Sequence, residues 1–327
     1  MPGIDAREAM NIVAGEFADF VPLVELPARG PGADHIGRTA SLLAQVDRSF
    51  EVETMPSGWR LGHTGQRELS RARGFLSQDI DALEEFAGSA TTPIKVAIAG
   101  PWTLSAGIAD QAGEALLRDP GAVADITGAL AQAVTELIDR LRRGLNSDSL
   151  VIQIDEDIVP RVLGGQVRTS SGRLTHRHVE PIVVQGHVQT VVEAIHAAGA
   201  RSVLRCFASR APVDLLRETG TDALAVDLAL AVPEDDALPR AWEAGTGLLL
   251  GCVPVRTDVG ALGDTAVSAE LRRFMTDCGF ASVPDNVAIT PHRGLADMSM
   301  DAARDIIRAC NAVGSVVRDD RESAGAT

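Results

Sequence analysis

Leu150-Val151-Ile152-Gln153-Ile154-Asp155-Glu156 is an apolar run that stops abruptly at two carboxylates. Its length and its Val/Ile content predict a strand covered on both faces, as in parallel sheets. Working outward, six more runs of the same kind occupy residues 21–26, 94–100, 202–207, 223–228, 247–253 and 287–291. Between them lie stretches with Ala and Leu at helical spacing, such as 121–143 and 180–198, and residues 301–317 predict a closing amphipathic helix. Strand and helix alternating in this way imply right-handed crossovers and one parallel sheet, open or closed. The fold class expected is α/β, a TIM-type (β/α)8 barrel, with seven runs one short of closure. Residues 1–327 show no linker and are expected to form a single domain, with residues 318–327 as a frayed, charged tail.

Composition narrows the function classes. The formal charge is -15, and Lys95 is the only lysine. That balance argues against nucleic acid and anionic membrane as partners, because both reward clustered positive charge. A small-molecule substrate is the expected partner, and an anionic one needs a local cationic pocket. Apolar residues reach 45% while aromatics are 3%, so the core must be built from Ala, Val, Leu and Ile. The cysteines Cys206, Cys252, Cys278 and Cys310 are far apart without CxxC pairing, which fits reduced thiols and a cytoplasmic location. No apolar run approaches the ~20 residues of a membrane span. GxGxxG after a strand, GxxxxGK[ST], HExxH and GxSxG are all missing, which removes dinucleotide, P-loop, zinc-protease and α/β-hydrolase readings.

In a parallel barrel the carboxyl ends of the strands form the active face. Asp155 stands at such an end, and so does Glu25, which opens a Pro/Gly-rich loop. Either carboxylate suits a desolvated ammonium, although acids at these positions also serve as helix caps. Trp102, after Gly100-Pro101, offers a flat face for a heterocycle, or simply packs. The loop 163–178 is long enough to cover a barrel mouth. Within and after it, His176-x-His178 with Glu180 is a weak metal candidate, and Arg256 a weak phosphate ligand.

Several short stretches, in order and spacing, resemble the short, actinobacterial-type relatives of cobalamin-independent methionine synthase. They are Glu25-Leu26-Pro27-Ala28-Arg29-Gly30-Pro31-Gly32-Ala33-Asp34, Pro56-Ser57-Gly58-Trp59-Arg60-Leu61, Gly100-Pro101-Trp102-Thr103-Leu104, Gln153-Ile154-Asp155-Glu156 and Thr169-Ser170-Ser171-Gly172. The resemblance implies a methyltransferase that moves a methyl group from a folate-type donor to a thiol such as homocysteine, with folate as co-substrate. It implies that Asp155 and Glu25 hold the substrate and that Trp102 flanks it; Asp157 replaces the proline that follows the acidic pair. It also implies a first strand ending in Gly-Ser-Met-Pro-Gly, of which this chain carries only Met1-Pro2-Gly3, so that the barrel strand lacking in this chain is the first.

The resemblance further implies zinc, held by a His-x-Cys pair on one strand, an acid on the next and a Cys after the last. Matching through Pro212-Val213-Asp214-Leu215-Leu216-Arg217 places Arg205 and Phe207 at the His and Cys, Asp227 at the acid, and Arg293 within Thr290-Pro291-His292-Arg293-Gly294-Leu295 at the last Cys. Arg and Phe ligate no zinc, so no metal or other cofactor is expected. Cys206 between them should face the other way. A one-residue slip would instead gather Cys206, Asp227 and His292 around zinc, at the cost of turning every neighbouring side chain over. The alternative is a metal-free relative, in which Arg205 and Arg293, partly neutralised by Asp227, bind an anionic small molecule. A third reading is an inactive member kept for interaction; the wider superfamily also includes uroporphyrinogen decarboxylase, which works without metal.

Overall fold

The computed structural model describes residues 1–17, 20–62, 66–88, 91–147, 149–231, 236–256, 263–280 and 286–325. Its strands are β1 (Val21–Pro22), β2 (Val52–Met55), β3 (Gly58–Leu61), β4 (Ile94–Ala99), β5 (Ile108–Ala109), β6 (Leu150–Asp155), β7 (Arg201–Cys206), β8 (Ala223–Asp227), β9 (Gly247–Val253) and β10 (Val287–Pro291). Seven of them form one parallel sheet in the order β1-β4-β6-β7-β8-β9-β10. Helices link the successive strands, among them Pro120–Gly144 and Pro181–Ala197. Pro120 at the first turn and the Asp119 carboxylate, which accepts from Gly121 N–H, start the former where the chain leaves its loop.

The sheet is curled. Pro22, Lys95, Gln153, Arg205, Ala225, Leu249 and Thr290, one from each strand, line a single cavity. In a flat sheet the outer two strands would stand roughly 30 Å apart, too far to share it. The curl stops one strand short: among the described residues β1 pairs only with β4 and β10 only with β9. β6, in the interior of the sheet, is mostly buried, whereas every residue of β10 is half-exposed. A cleft bounded by Phe17, Phe20, Ile289 and Val317 runs beside that open edge. The expected barrel without one strand is therefore the architecture observed.

Other expectations need correction. Besides the seven expected runs, β2 and β3 form a hairpin that β5 joins in parallel, making a second sheet. Run 21–26 pairs only at Val21 and Pro22, because Pro27 opens a 3-10 turn, Pro27–Arg29. The last helix runs past Val317, as Met300–Gly325, where a frayed tail was expected; Ala326 and Thr327 lie outside the described residues. One hydrophobic core extends from Ala6 to Val317. Among the described residues no helix is long and apolar enough to cross a membrane, and none of the four cysteines is joined in a disulfide.

Candidate functional site at the strand carboxyl ends

Period-two alternation builds the cavity wall. In β6 Ile152 and Ile154 are buried in the apolar shell, while Gln153 and Asp155 line the cavity. β4 sends Lys95 and Ala97 inward, and β7 sends Arg205, with Phe207 just beyond the strand end. Asp155 is paired in register with Ala99 on one side and Arg205 on the other, so the carboxylate and guanidinium meet on one level. The cavity measures about 1030 Å³ including its open mouth.

A connected set of polar groups crosses it. Lys95 Nζ donates to Gln153 Oε1 at 2.6 Å, and Gln153 Nε2 donates to Asp155 Oδ1 at 2.6 Å. Arg205 Nη1 lies 3.3 Å from Asp155 Oδ2 and 2.9 Å from Asp157 Oδ2. Its guanidinium stacks on the Phe207 ring, with the carbon 4.3 Å from the centroid. That ring is seated over Gly251, where an added Cβ would come within 3.0 Å of it. Asp157 also accepts Phe207 N–H at 2.6 Å, fixing the turn after β7.

Opposite stands Glu25, flanked by the helix His35–Val46. Asp34 caps that helix by accepting Gly37 N–H and the indole N–H of Trp59, each at 2.9 Å. Gly37 is required there, since a Cβ would lie 2.3 Å from the Trp59 ring. The cap sets His35 at the helix start and Arg38 one turn later on the same face. His35 Nδ1 is 3.9 Å from Glu25, His35 Nε2 is 3.6 Å from Asp155, and Arg38 Nη1 is 3.5 Å from Glu25. Burial opposes ionisation of Glu25, yet His35 and Arg38 hold its pKa down to about 2. Burial pushes the Asp155 carboxyl up despite Arg205 and His35. His35 is raised against burial by its two carboxylates, and burial lowers the Lys95 ammonium.

Not every expected residue belongs here. Trp102 is 2% exposed and packs under the helix Pro181–Ala197, its Nε1 donating to Val184 O at 3.1 Å and its ring edge-on to His187. It therefore fills the shell instead of flanking a ligand. Asp227 turns back to accept Ala229 N–H at 2.9 Å and lines a separate cleft with Cys206, so it does not neutralise the arginines. Asp155 and Asp157 do that for Arg205. Arg293 reaches the cavity but is half-exposed, held by Val255 O and 3.7 Å from Asp297. Loop 163–178 folds onto Glu114 through Ser170 and contributes nothing to the cavity lining; Arg256 is exposed and also outside it. His178 pairs with Glu180 at the surface, while His176 turns to Glu114.

The residues do not fit zinc. Arg205 and Phe207 face the cavity as a stacked pair, and Cys206 between them is 1% exposed on the far side, its thiol pushed up to about 12 by burial. His292 Nδ1 accepts Val255 N–H at 3.1 Å. Among the described residues no group of three or more His, Cys, Asp or Glu side chains is arranged to hold a metal ion, so the slipped cluster of Cys206, Asp227 and His292 is not formed.

His35, Arg38, Lys95, Gln153 and Asp157 were missed as site residues. For Lys95 and Gln153 a signal was present: a polar residue at alternate positions of an otherwise apolar strand must face something polar. Nothing local marks His35, whose place follows from the loop that aims its helix.

No family model and no curated protein matches the chain. Among solved structures it is similar to a B12-independent methionine synthase from a Shewanella species, determined in complex with selenomethionine. The identity is 15%, the TM-score 0.50, and the match covers 75% of this chain and 67% of that one. At that identity the likeness is one of fold: this chain shares the α/β barrel architecture of a methionine synthase.

Proposed function

We propose that the chain is a methionine-synthase-like transferase whose cavity binds a small amino-acid substrate. The observation that carries this reading is the presence of both charges in one cavity. Glu25 and Asp155 are placed to accept an ammonium, and Arg205, with Arg293 at the rim, to receive a carboxylate. A pocket for an anion alone fits less well, because Arg205 is already faced by two carboxylates. The ligand named for the structural neighbour is itself an amino acid, which supports the same assignment. Methyl transfer from a folate-type donor to a thiol such as homocysteine is the reaction this reading carries. With no fitting metal ligands among the described residues, this reading has the thiol positioned and relieved of its proton by side chains of the cavity.

Calorimetric titration tests the binding half. L-methionine and L-homocysteine should bind, and analogues lacking either the ammonium or the carboxylate should bind roughly tenfold or more weakly, since a charge-assisted hydrogen bond contributes about 1.5–3 kcal/mol. Asp155→Asn and Arg205→Met should abolish the preference for the ammonium and the carboxylate respectively. Indifference of the protein to every amino acid offered at millimolar concentration would refute the reading.

A further inference from the structure

The mouth of the cavity accounts for the acids and arginines, but not for what lies on its floor. Lys95 is the only lysine of the chain and projects from β4 into the cavity. Its Nζ donates to Gln153 Oε1 at 2.6 Å, and among the described residues no carboxylate lies within ion-pair distance of it. An ammonium has three donors. A lysine kept for structure in such a place would be matched by an acid, since a buried, unpaired charge is costly. This one is offered to the cavity instead, where burial lowers its pKa below that of an ordinary lysine although the Asp155 and Glu25 charges oppose the shift, Arg205 adding to it. Lowering the pKa enlarges the share of amine that carries a free electron pair.

We propose that Lys95 is an amine nucleophile of this cavity, condensing with the carbonyl group of a small oxo acid to form an imine. Arg205 and Arg293 line the same cavity and suit the acid's carboxylate. In the step, the Nζ electron pair forms a bond to the carbonyl carbon while the carbonyl electrons move to oxygen. The nitrogen then gives up its two protons, the oxygen leaves with them as water, and a C=N bond remains. Nothing is oxidised or reduced. Asp155, one hydrogen bond beyond Gln153 and with its carboxyl raised by burial, is placed to pass a proton to the departing oxygen.

The presence of a single lysine makes the test clean. The intact protein is incubated with glyoxylate and cyanoborohydride, which reduces the imine to a stable secondary amine, and the site is mapped by peptide mass spectrometry. Lys95 in the native protein should be labelled faster than in the urea-unfolded chain at the same pH, because a lowered pKa raises the neutral fraction. Native labelling should rise through a midpoint below that of an ordinary lysine, and should favour glyoxylate over acetaldehyde, which has no carboxylate. Lys95→Arg should lose the label. Labelling at the Met1 amino group alone, or Lys95 reacting no faster native than unfolded, overturns the proposal; equal reaction with acetaldehyde overturns the oxo-acid assignment. Glyoxylate carries no ammonium, so failure here leaves amino-acid binding untouched, and the reverse also holds.

Discussion

Glu25 and Glu156 both follow strands at the same end of the sheet, and the structure drives them in opposite directions. Glu25 faces the cavity among His35 and Arg38, which hold it down to about 2. Glu156 faces the shell. It is fully buried, accepts the N–H groups of Trp102 and Thr103 at 2.9 Å and the Thr103 hydroxyl at 2.8 Å, and burial pushes it up to about 8. The difference teaches that a carboxylate at a strand end has no fixed role. One residue of offset from Asp155 turns Glu156 from the cavity to the start of the helix Pro101–Gly107, where it locks helix to strand.

The largest effect should come from removing that lock. Glu156→Ala leaves the Trp102 and Thr103 N–H groups without an acceptor, the Thr103 hydroxyl keeping Asp155 O at 2.7 Å, and should cost about 3 kcal/mol or more in chemical denaturation; a cost below 1 kcal/mol would erase the distinction between the two glutamates. Gly100→Ala comes next. Its Cβ would lie 2.3 Å from Glu156 Oε1, and the overpacking should cost about 1–3 kcal/mol.

A subtler test uses pH. Between the ordinary 4.5 and about 8 the folded chain keeps a proton on Glu156 that the unfolded chain has lost, so this residue makes stability fall as pH rises through that window. Glu25 does the reverse: between 4.5 and about 2 the unfolded chain binds a proton the folded chain refuses, and stability falls as pH drops. Glu156→Gln should flatten the first slope alone and Glu25→Gln the second alone, read from denaturation midpoints across pH. If one substitution flattened both, the two sites would be coupled and the contrast lost. The smallest effect is expected at Lys95. Lys95→Met should leave stability within about 1 kcal/mol, since an unpaired buried amine contributes little to folding and an apolar replacement is tolerated. A loss of several kcal/mol would make Lys95 a structural residue.

The chain by itself determined the seven strands of the main sheet and their parallel sense, because doubly covered strands advertise themselves as apolar runs and helices as 3.6-residue periodicity. It also marked Asp155 and Glu25 through their places at strand ends and Arg205 through the family resemblance, and alternation correctly turned Cys206 away from Arg205. Only the tertiary structure decided which polar groups meet. His35 reaches Asp155 across 120 residues of sequence, Trp102 sinks under a helix that begins at Pro181, and Asp227 is spent on its own turn. Such pairings depend on how far the sheet curls and where each loop aims its helix. Those are set by the packing of the whole shell, so no local stretch of sequence records them.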